Sequence, residues 1–444
     1  MNTSRRSFIK SSSAALFGAS ALSHLASGET QDTVTEAGPR NAFGDGPIRI
    51  ALIGCGGRGT GAASQALHTA KLGMGDVKLV AMADAFSDRL DTSLQELSSW
   101  HPEQVSVPEQ RRFTGFDAYK RAMESDVDMV VLATPPGFRP MHFDQAVRLG
   151  KHVFMEKPCA VDAAGVRSVI ATARKADEAG LKVGVGLQRH HQESYLETVS
   201  RIRDGAIGDL TLLRCYWNSD GVWVRPREAG MSEMTYQMRN WYYFNWLCGD
   251  HITEQHIHNL DVCNWLAGDY PVEAQGQGGR LVRNGIDHGE IFDHHMVEYT
   301  YASGLKMISQ CRHIPGSASS VSEFAHGTHG TANVSGASIQ SNGGWKWRFR
   351  GDEENPYQVE HNDLFTAVRT GTAYNEAVNG AKSSMTSILG RMATYSGQIV
   401  RWDDAIAADH DLSPKKYDFN SPPPVLPDAD GRYPIAIPGI TPPY

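Results

Sequence analysis

Short apolar runs alternate with amphipathic stretches from residue 47 onward. Ile48 to Ile53, Val77 to Met82, Met129 to Leu132, His152 to Met155 and Leu181 to Leu187 each read as a strand covered on both faces. Helical periodicity fills the gaps. Met141 to Leu149 is one such stretch, and Asp162 opens another that continues through Val166, Ile170 and Ala173. Strands alternating with helices predict a doubly wound α/β domain over 47–187. Beyond 188 the texture changes. Leu210 to Trp217, Val272 to Gln277, Met296 to Tyr301 and Leu305 to Cys311 read as strands without a helix between each pair. One helix, about 249–267, interrupts them. An α+β domain with a mostly antiparallel sheet is predicted over 188–410. Residues 357–400 turn helical again, with Leu364, Val368, Ile388, Met392 and Ile399 as core candidates. From 411 to 444 the chain is Pro-rich, with nine prolines from Pro414 on, and is expected to run extended over the surface.

The N-terminal end has a different pattern. Ser4-Arg5-Arg6-Ser7-Phe8-Ile9-Lys10 precedes an uncharged, weakly apolar stretch that ends in the small residues Ala26-Ser27-Gly28. The arginine pair followed by Phe8 and Lys10 resembles a twin-arginine export signal over 1–30, with a polar linker over 31–46. That predicts a folded protein working in the periplasm or otherwise outside the cytoplasm.

Composition narrows the class. Of 444 residues, 41% are apolar and 21% charged, which excludes a disordered, collagenous or coiled-coil chain. No run of 18 apolar residues occurs, so no stable membrane insertion is expected. The net charge of −8 offers no basic stripe for nucleic acid. Six scattered cysteines form no Cys-x-x-Cys pair, so neither a disulfide framework nor a zinc ribbon is expected.

Three motifs carry chemistry. Gly54-Cys55-Gly56-Gly57-Arg58-Gly59 follows the first strand and opens a helix, the context in which G-x-G-x-x-G binds a dinucleotide. Gly54 permits the turn, Gly56 lets the backbone approach a pyrophosphate, and Gly59 lets helix and strand pack closely. Gly57 and Arg58 belong to the same loop. Asp84 ends the second strand, where a carboxylate accepts from ribose hydroxyls and repels a 2′-phosphate. NAD is therefore expected over NADP. Ala133-Thr134-Pro135-Pro136 follows the third strand and places Thr134 and Pro135 at the ligand-binding edge. Glu156-Lys157-Pro158 ends the fourth, and there Lys157 can hydrogen-bond a substrate hydroxyl.

These motifs, with Gly186-Leu187-Gln188-Arg189 and a histidine-bearing helix, make the chain from about Ile48 to Ile399 resemble the glucose-fructose oxidoreductase / inositol dehydrogenase / MocA (Gfo/Idh/MocA) family. The resemblance implies a Rossmann domain, a second domain with an open sheet that often forms a homo-oligomer interface, and a nicotinamide cofactor. It also implies sugars or cyclitols as substrates and a catalytic role for Lys157. Glu156, Lys157 and Gln188 join the expected cofactor contacts, and Arg189 the substrate contacts.

In the helix, taking Glu254 as zero at about 100° per residue, His251, His258, Asp261 and Trp265 fall within about 80° of one another, and His256 points elsewhere. The family carries Asp-x-x-x-His-x-x-Asp here, its His accepting the proton from the substrate hydroxyl. The match gives Glu254, His258 and Asp261, with Glu254 replacing an Asp. His258 is thus the expected base, Glu254 its catalytic companion and Asp261 a substrate contact. His251, Glu254 and His258 also sit one and two turns apart, a spacing open to a metal, although the family works without one and none is assigned. Trp241, in Arg239-Asn240-Trp241-Tyr242-Tyr243, suits stacking on a sugar. His190-His191 sit just past a strand end near the expected site, while His294-His295 are expected to be structural. Three functions remain open: a sugar or cyclitol oxidoreductase, a redox-neutral NAD-dependent glycoside hydrolase working by oxidation and elimination, and a non-catalytic sugar-binding protein that retains nucleotide.

Overall fold

The computed structural model describes residues 46–444. The expected export segment at 1–30 and nearly all of the linker lie outside the described residues. No helix among the described residues is long and apolar enough to cross a membrane.

Six strands form the first sheet: β1 (Ile48–Ile53), β2 (Val77–Asp84), β3 (Arg112–Thr114), β4 (Met129–Leu132), β5 (His152–Met155) and β6 (Val183–Val185). Their order is β3-β2-β1-β4-β5-β6, all parallel. Apolar side chains on both faces are buried, as the continuous runs require. The order reverses between β1 and β4, so their C-terminal ends open a crevice there. Asp162 caps the helix Ala163–Glu178 by accepting from Gly165 N–H at 2.7 Å.

The second sheet has nine strands. These are β7 (Leu210–Ser219), β8 (Pro271–Gly279), β9 (His294–Tyr301), β10 (Lys306–His313), β11 (Ser320–Gly327), β12 (Gly330–Asn333), β13 (Ser338–Ser341), β14 (Lys346–Arg348) and β15 (Val400–Arg401). The order is β14-β13-β12-β11-β7-β10-β9-β8-β15, antiparallel except where β7 runs beside β10. The helices Ile257–Ala267 and Ala377–Ser396 cover one face. On the other face Met296 is exposed and Ile308 and Phe324 are half-buried.

Three sequence expectations need correction. The helix expected over 249–267 is two helices, His251–Glu254 and Ile257–Ala267. At the break His256 N–H reaches back five residues to His251 O (3.1 Å), while its ring is buried against Ser309 Oγ on β10 (2.8 Å). Ile399 is 63% exposed rather than core. Gly397, at φ 70°, ends the preceding helix, and the chain re-enters as β15 with Val400 inward. The segment 357–400 also divides. The helix Pro356–Thr370 returns to the first sheet, where Leu364, Phe365 and Val368 join the core under β1 and β2.

The tail has no regular element, yet it is anchored. Tyr433 is buried, Ser232 Oγ donates to Phe419 O (2.6 Å), and Gln237 Nε2 donates to Val425 O (2.8 Å).

Candidate active site

The crevice is built from backbone. Gly54 has φ +95°, and a Cβ there would lie 2.5 Å from Ala133 C and Thr134 N; one on Gly59 would lie 1.9 Å from Gly54 O. Only glycine lets these segments close. A Cβ on Gly56 would meet nothing within 4 Å, so the loop presents open backbone at the N-terminus of the helix Gly57–Lys71. The cavity in front measures about 390 Å³ and includes Gly54, Gly56, Asp84, Thr134, Pro135 and Trp241 in its lining. A cradle of bare amides beside a carboxylate fits a dinucleotide.

Asp84 accepts from Cys55 N–H (2.6 Å) and Phe86 N–H (2.9 Å), tying β2 to the glycine loop. Burial pushes its carboxyl above the usual range, against the pull of those two N–H groups. Phe86 and Phe116 wall the same end. Arg239 lies over the Phe86 ring at 3.8 Å and holds Asp88 in two 2.7 Å contacts.

Arg58 lines the same cavity and is also tied to its surroundings. Its guanidinium pairs with Glu156, reaches Glu360 at 3.2 Å and Gln65 at 3.0 Å, and lies over Tyr357. The side chain thus braces the glycine loop against the Glu-Lys-Pro strand end and the helix Pro356–Thr370. Gln188 lies half-buried at the end of β6, with Oε1 buried and unpartnered.

Lys157, Glu254 and His258 do come together. Lys157 Nζ donates to Glu254 O (2.6 Å) and meets Glu254 Oε1 at 3.1 Å. His258 lies against Trp217, ring centroids 6.0 Å apart. Burial lowers its pKa well below the normal imidazole value, helped by the positive charges of Lys157, Arg189 and Arg58. The ring is therefore neutral at pH 7, with Nδ1 enclosed and Nε2 the nitrogen left to face a substrate. That is the state a proton acceptor needs.

His251 does not join them. The break at His256 turns it away from the expected face. Among the described residues the set His251, Glu254 and His258 does not converge as metal ligands, whereas Asp250, His251 and His295 do.

Arg189 and Asp261 are committed to internal partners rather than aimed at substrate. Arg189 pairs with Glu323 on β11, which also accepts from Tyr195 Oη (3.1 Å) and Asn259. Asp261 is held by His190 Nε2 (2.7 Å), Ser383 Oγ (2.7 Å) and Asn379 Nδ2 (3.2 Å). Burial works to lower the pKa of His190, but the adjacent Asp261 outweighs it and raises that pKa. Glu323 and Glu360 were missed in sequence because each is a single acid in a weakly patterned stretch. His190, expected near the site from its place just past a strand end, is the partner of Asp261.

Comparison with known proteins extends this picture. Residues 48–186 match a family model described as oxidoreductase family, NAD-binding Rossmann fold, and residues 195–353 match the GFO/IDH/MocA C-terminal domain. An inositol 2-dehydrogenase of Rhizobium meliloti (strain 1021) is 25% identical over 59% of this chain and 67% of its own length. A glycosyl hydrolase family 109 protein of Shewanella pealeana is 24% identical over 44% of this chain and 39% of its own. Matches to other inositol 2-dehydrogenases span as little as 40% of the relative's length. The structure of scyllo-inositol dehydrogenase from Lactobacillus casei with bound NAD(H) and scyllo-inositol superposes with a TM-score of 0.60 at 18% identity. It covers 80% of this chain and 99% of that one, a likeness of fold.

Proposed function

Because the chain belongs to the Gfo/Idh/MocA family of NAD-binding oxidoreductases, we propose that it transfers hydride between NAD and a CH–OH carbon of a sugar or cyclitol. The observation that carries this reading is the meeting of Lys157, Glu254 and a neutral, buried His258 beside the glycine cradle. Gly54 to Gly59 and Asp84 would hold the nucleotide, whose nicotinamide supplies the hydride acceptor. His258 takes the hydroxyl proton on Nε2. Lys157, oriented by Glu254, donates to the oxygen as negative charge develops there. Arg189 and Asp261 hold the surrounding elements in place.

The test is mass spectrometry of nucleotide released from denatured protein, followed by turnover on a panel of inositols and aldoses. Bound NAD with nucleotide-dependent turnover is expected. An empty protein inactive with added NAD overturns the reading.

The glycosyl hydrolase relative favours a second reading, in which the same groups work in a redox-neutral cycle on a glycoside. Release of aglycone with no net reduced nucleotide distinguishes it. We extend the proposal to export directed by Arg5 and Arg6, checked by cell fractionation with both changed to Lys. We extend it also to self-association through the open face of the second sheet, checked by light scattering of a Met296→Glu variant.

A further inference from the structure

On the covered face of the second sheet, a cluster of histidines takes no part in this chemistry. Asp250 and His251 are fully buried, His295 is 3% exposed, and one donor atom from each lies within 4.8 Å of the others. The backbone is shaped around them. Asp250 has φ 71°, an uncommon conformation for a non-glycine residue. Its carboxylate is fixed by His251 N–H (2.5 Å), Phe292 N–H (3.0 Å) and Tyr395 Oη (2.6 Å).

Both imidazoles face the carboxylate at contact distance but off the hydrogen-bonding direction. His251 Nδ1 lies 2.8 Å from Asp250 Oδ1, and His295 Nε2 lies 3.3 Å from Oδ2. Yet neither nitrogen of His251, nor His295 Nε2, has a hydrogen-bond partner. The tautomer of His295 follows from its other nitrogen. Thr394 Oγ1 donates to the carbonyls of Gly390 and Arg391 (both 3.0 Å), so at 2.9 Å it accepts from His295 Nδ1–H. Nε2 then carries a lone pair facing a carboxylate. Two buried lone pairs opposed at this distance need a positive centre between them. A neighbour that accepts from the second imidazole N–H, as Thr394 does here, is also the usual support of a metal-bound histidine.

We propose that Asp250, His251 and His295 bind a divalent transition metal, with zinc the best match to two imidazoles and one carboxylate. The ion would pin the turn at 249–251, which leads into Glu254 and His258, to β9. Its role is structural, since full burial leaves no route for a substrate. The site stands independently of the proposed activity.

The experiment uses the full chain without a histidine tag, purified without chelator and analysed by inductively coupled plasma mass spectrometry. About one equivalent of one divalent transition metal per chain is expected, as for a folded structural site. His295→Phe, which keeps a ring in the space, and Asp250→Asn should each lose most of it. Treatment with a strong chelator should lower the melting temperature, and zinc, but not magnesium, should restore it. Three outcomes overturn the proposal. One is a metal-free protein that takes up no zinc in competition with a chromophoric chelator. Another is a His295→Phe variant that folds and keeps its metal. The third is a chelated protein with an unchanged melting temperature. Should Asp250→Asn fail to fold, His295→Phe and the chelator experiment still decide.

Discussion

The two sheets place function differently. In the parallel sheet the chemistry is done by backbone at strand ends, where Gly54, Ala133 and Thr134 close on one another. In the mixed sheet the buried polar groups are side chains on the covered face, such as Glu323 and His295. The first kind of site depends on local chain geometry. The second depends on which distant side chains meet. The segment between the two sheets, with Lys157 at the end of β5 and His258 beside β7, draws on both.

The largest effect should fall on that segment. His258→Ala and Lys157→Ala are each expected to lower kcat by about 10²–10⁴-fold, the range for removing a positioned acid or base. Circular dichroism should stay at wild-type values for both, and nucleotide content for His258→Ala. If either variant turns over normally, the segment has been given the wrong task.

Next is the mixed sheet alone. Glu323→Gln keeps the shape of the side chain but leaves Arg189 buried without its counter-charge. Removing one partner of a buried pair costs about 3–5 kcal/mol. A fall in melting temperature of several degrees is expected, along with a rise in KM, because Arg189 sits one residue after Gln188. A stable variant would mean that Asn259 and Tyr195 carry the site without the charge.

The parallel sheet is tested by a pair of glycines. Gly54→Ala forces a methyl to 2.5 Å from backbone and should cost soluble protein. Gly56→Ala meets nothing in the protein, so it should fold normally and weaken NAD binding by roughly 10–100-fold, as overpacking against a ligand does. If both variants behave alike, the cradle is not where the nucleotide lies.

This contrast also explains what could be read from the chain. β1, β4 and β5 are continuous apolar runs because both their faces are buried, and their ends matched the expected residues. β11 to β14 escaped notice because sequences such as Ser320–Gly327 mix serine, glutamate and histidine with few apolar residues. β3 is only three residues long. The glycine loop, Asp84, Lys157 and His258 were legible because their motifs are local. The break at His256 was not, since no Pro or Gly marks it and its cause is a buried contact with Ser309 on a distant strand. The engagement of Arg189 and Asp261 was hidden for the same reason. Their partners Glu323, Ser383 and Asn379 are more than a hundred residues away.

The smallest predicted effect is a shift in pH dependence. An imidazole accepts a proton only while neutral, and an unperturbed one loses that form below about pH 6.5. Burial of His258 first, and the charges of Lys157, Arg189 and Arg58 after it, all lower its pKa. The acid limb of kcat/KM should therefore lie below 6.5, with activity flat across neutrality. Lys157→Met removes one of those charges, so the His258 pKa, followed by NMR of the imidazole, should rise. It should remain below the ordinary value, because burial is the larger cause and the substitution leaves it in place. A limb at or above 6.5 in the wild type would mean that water or a carboxylate reaches the ring, and the base would then have to be sought in the His190–Asp261 pair.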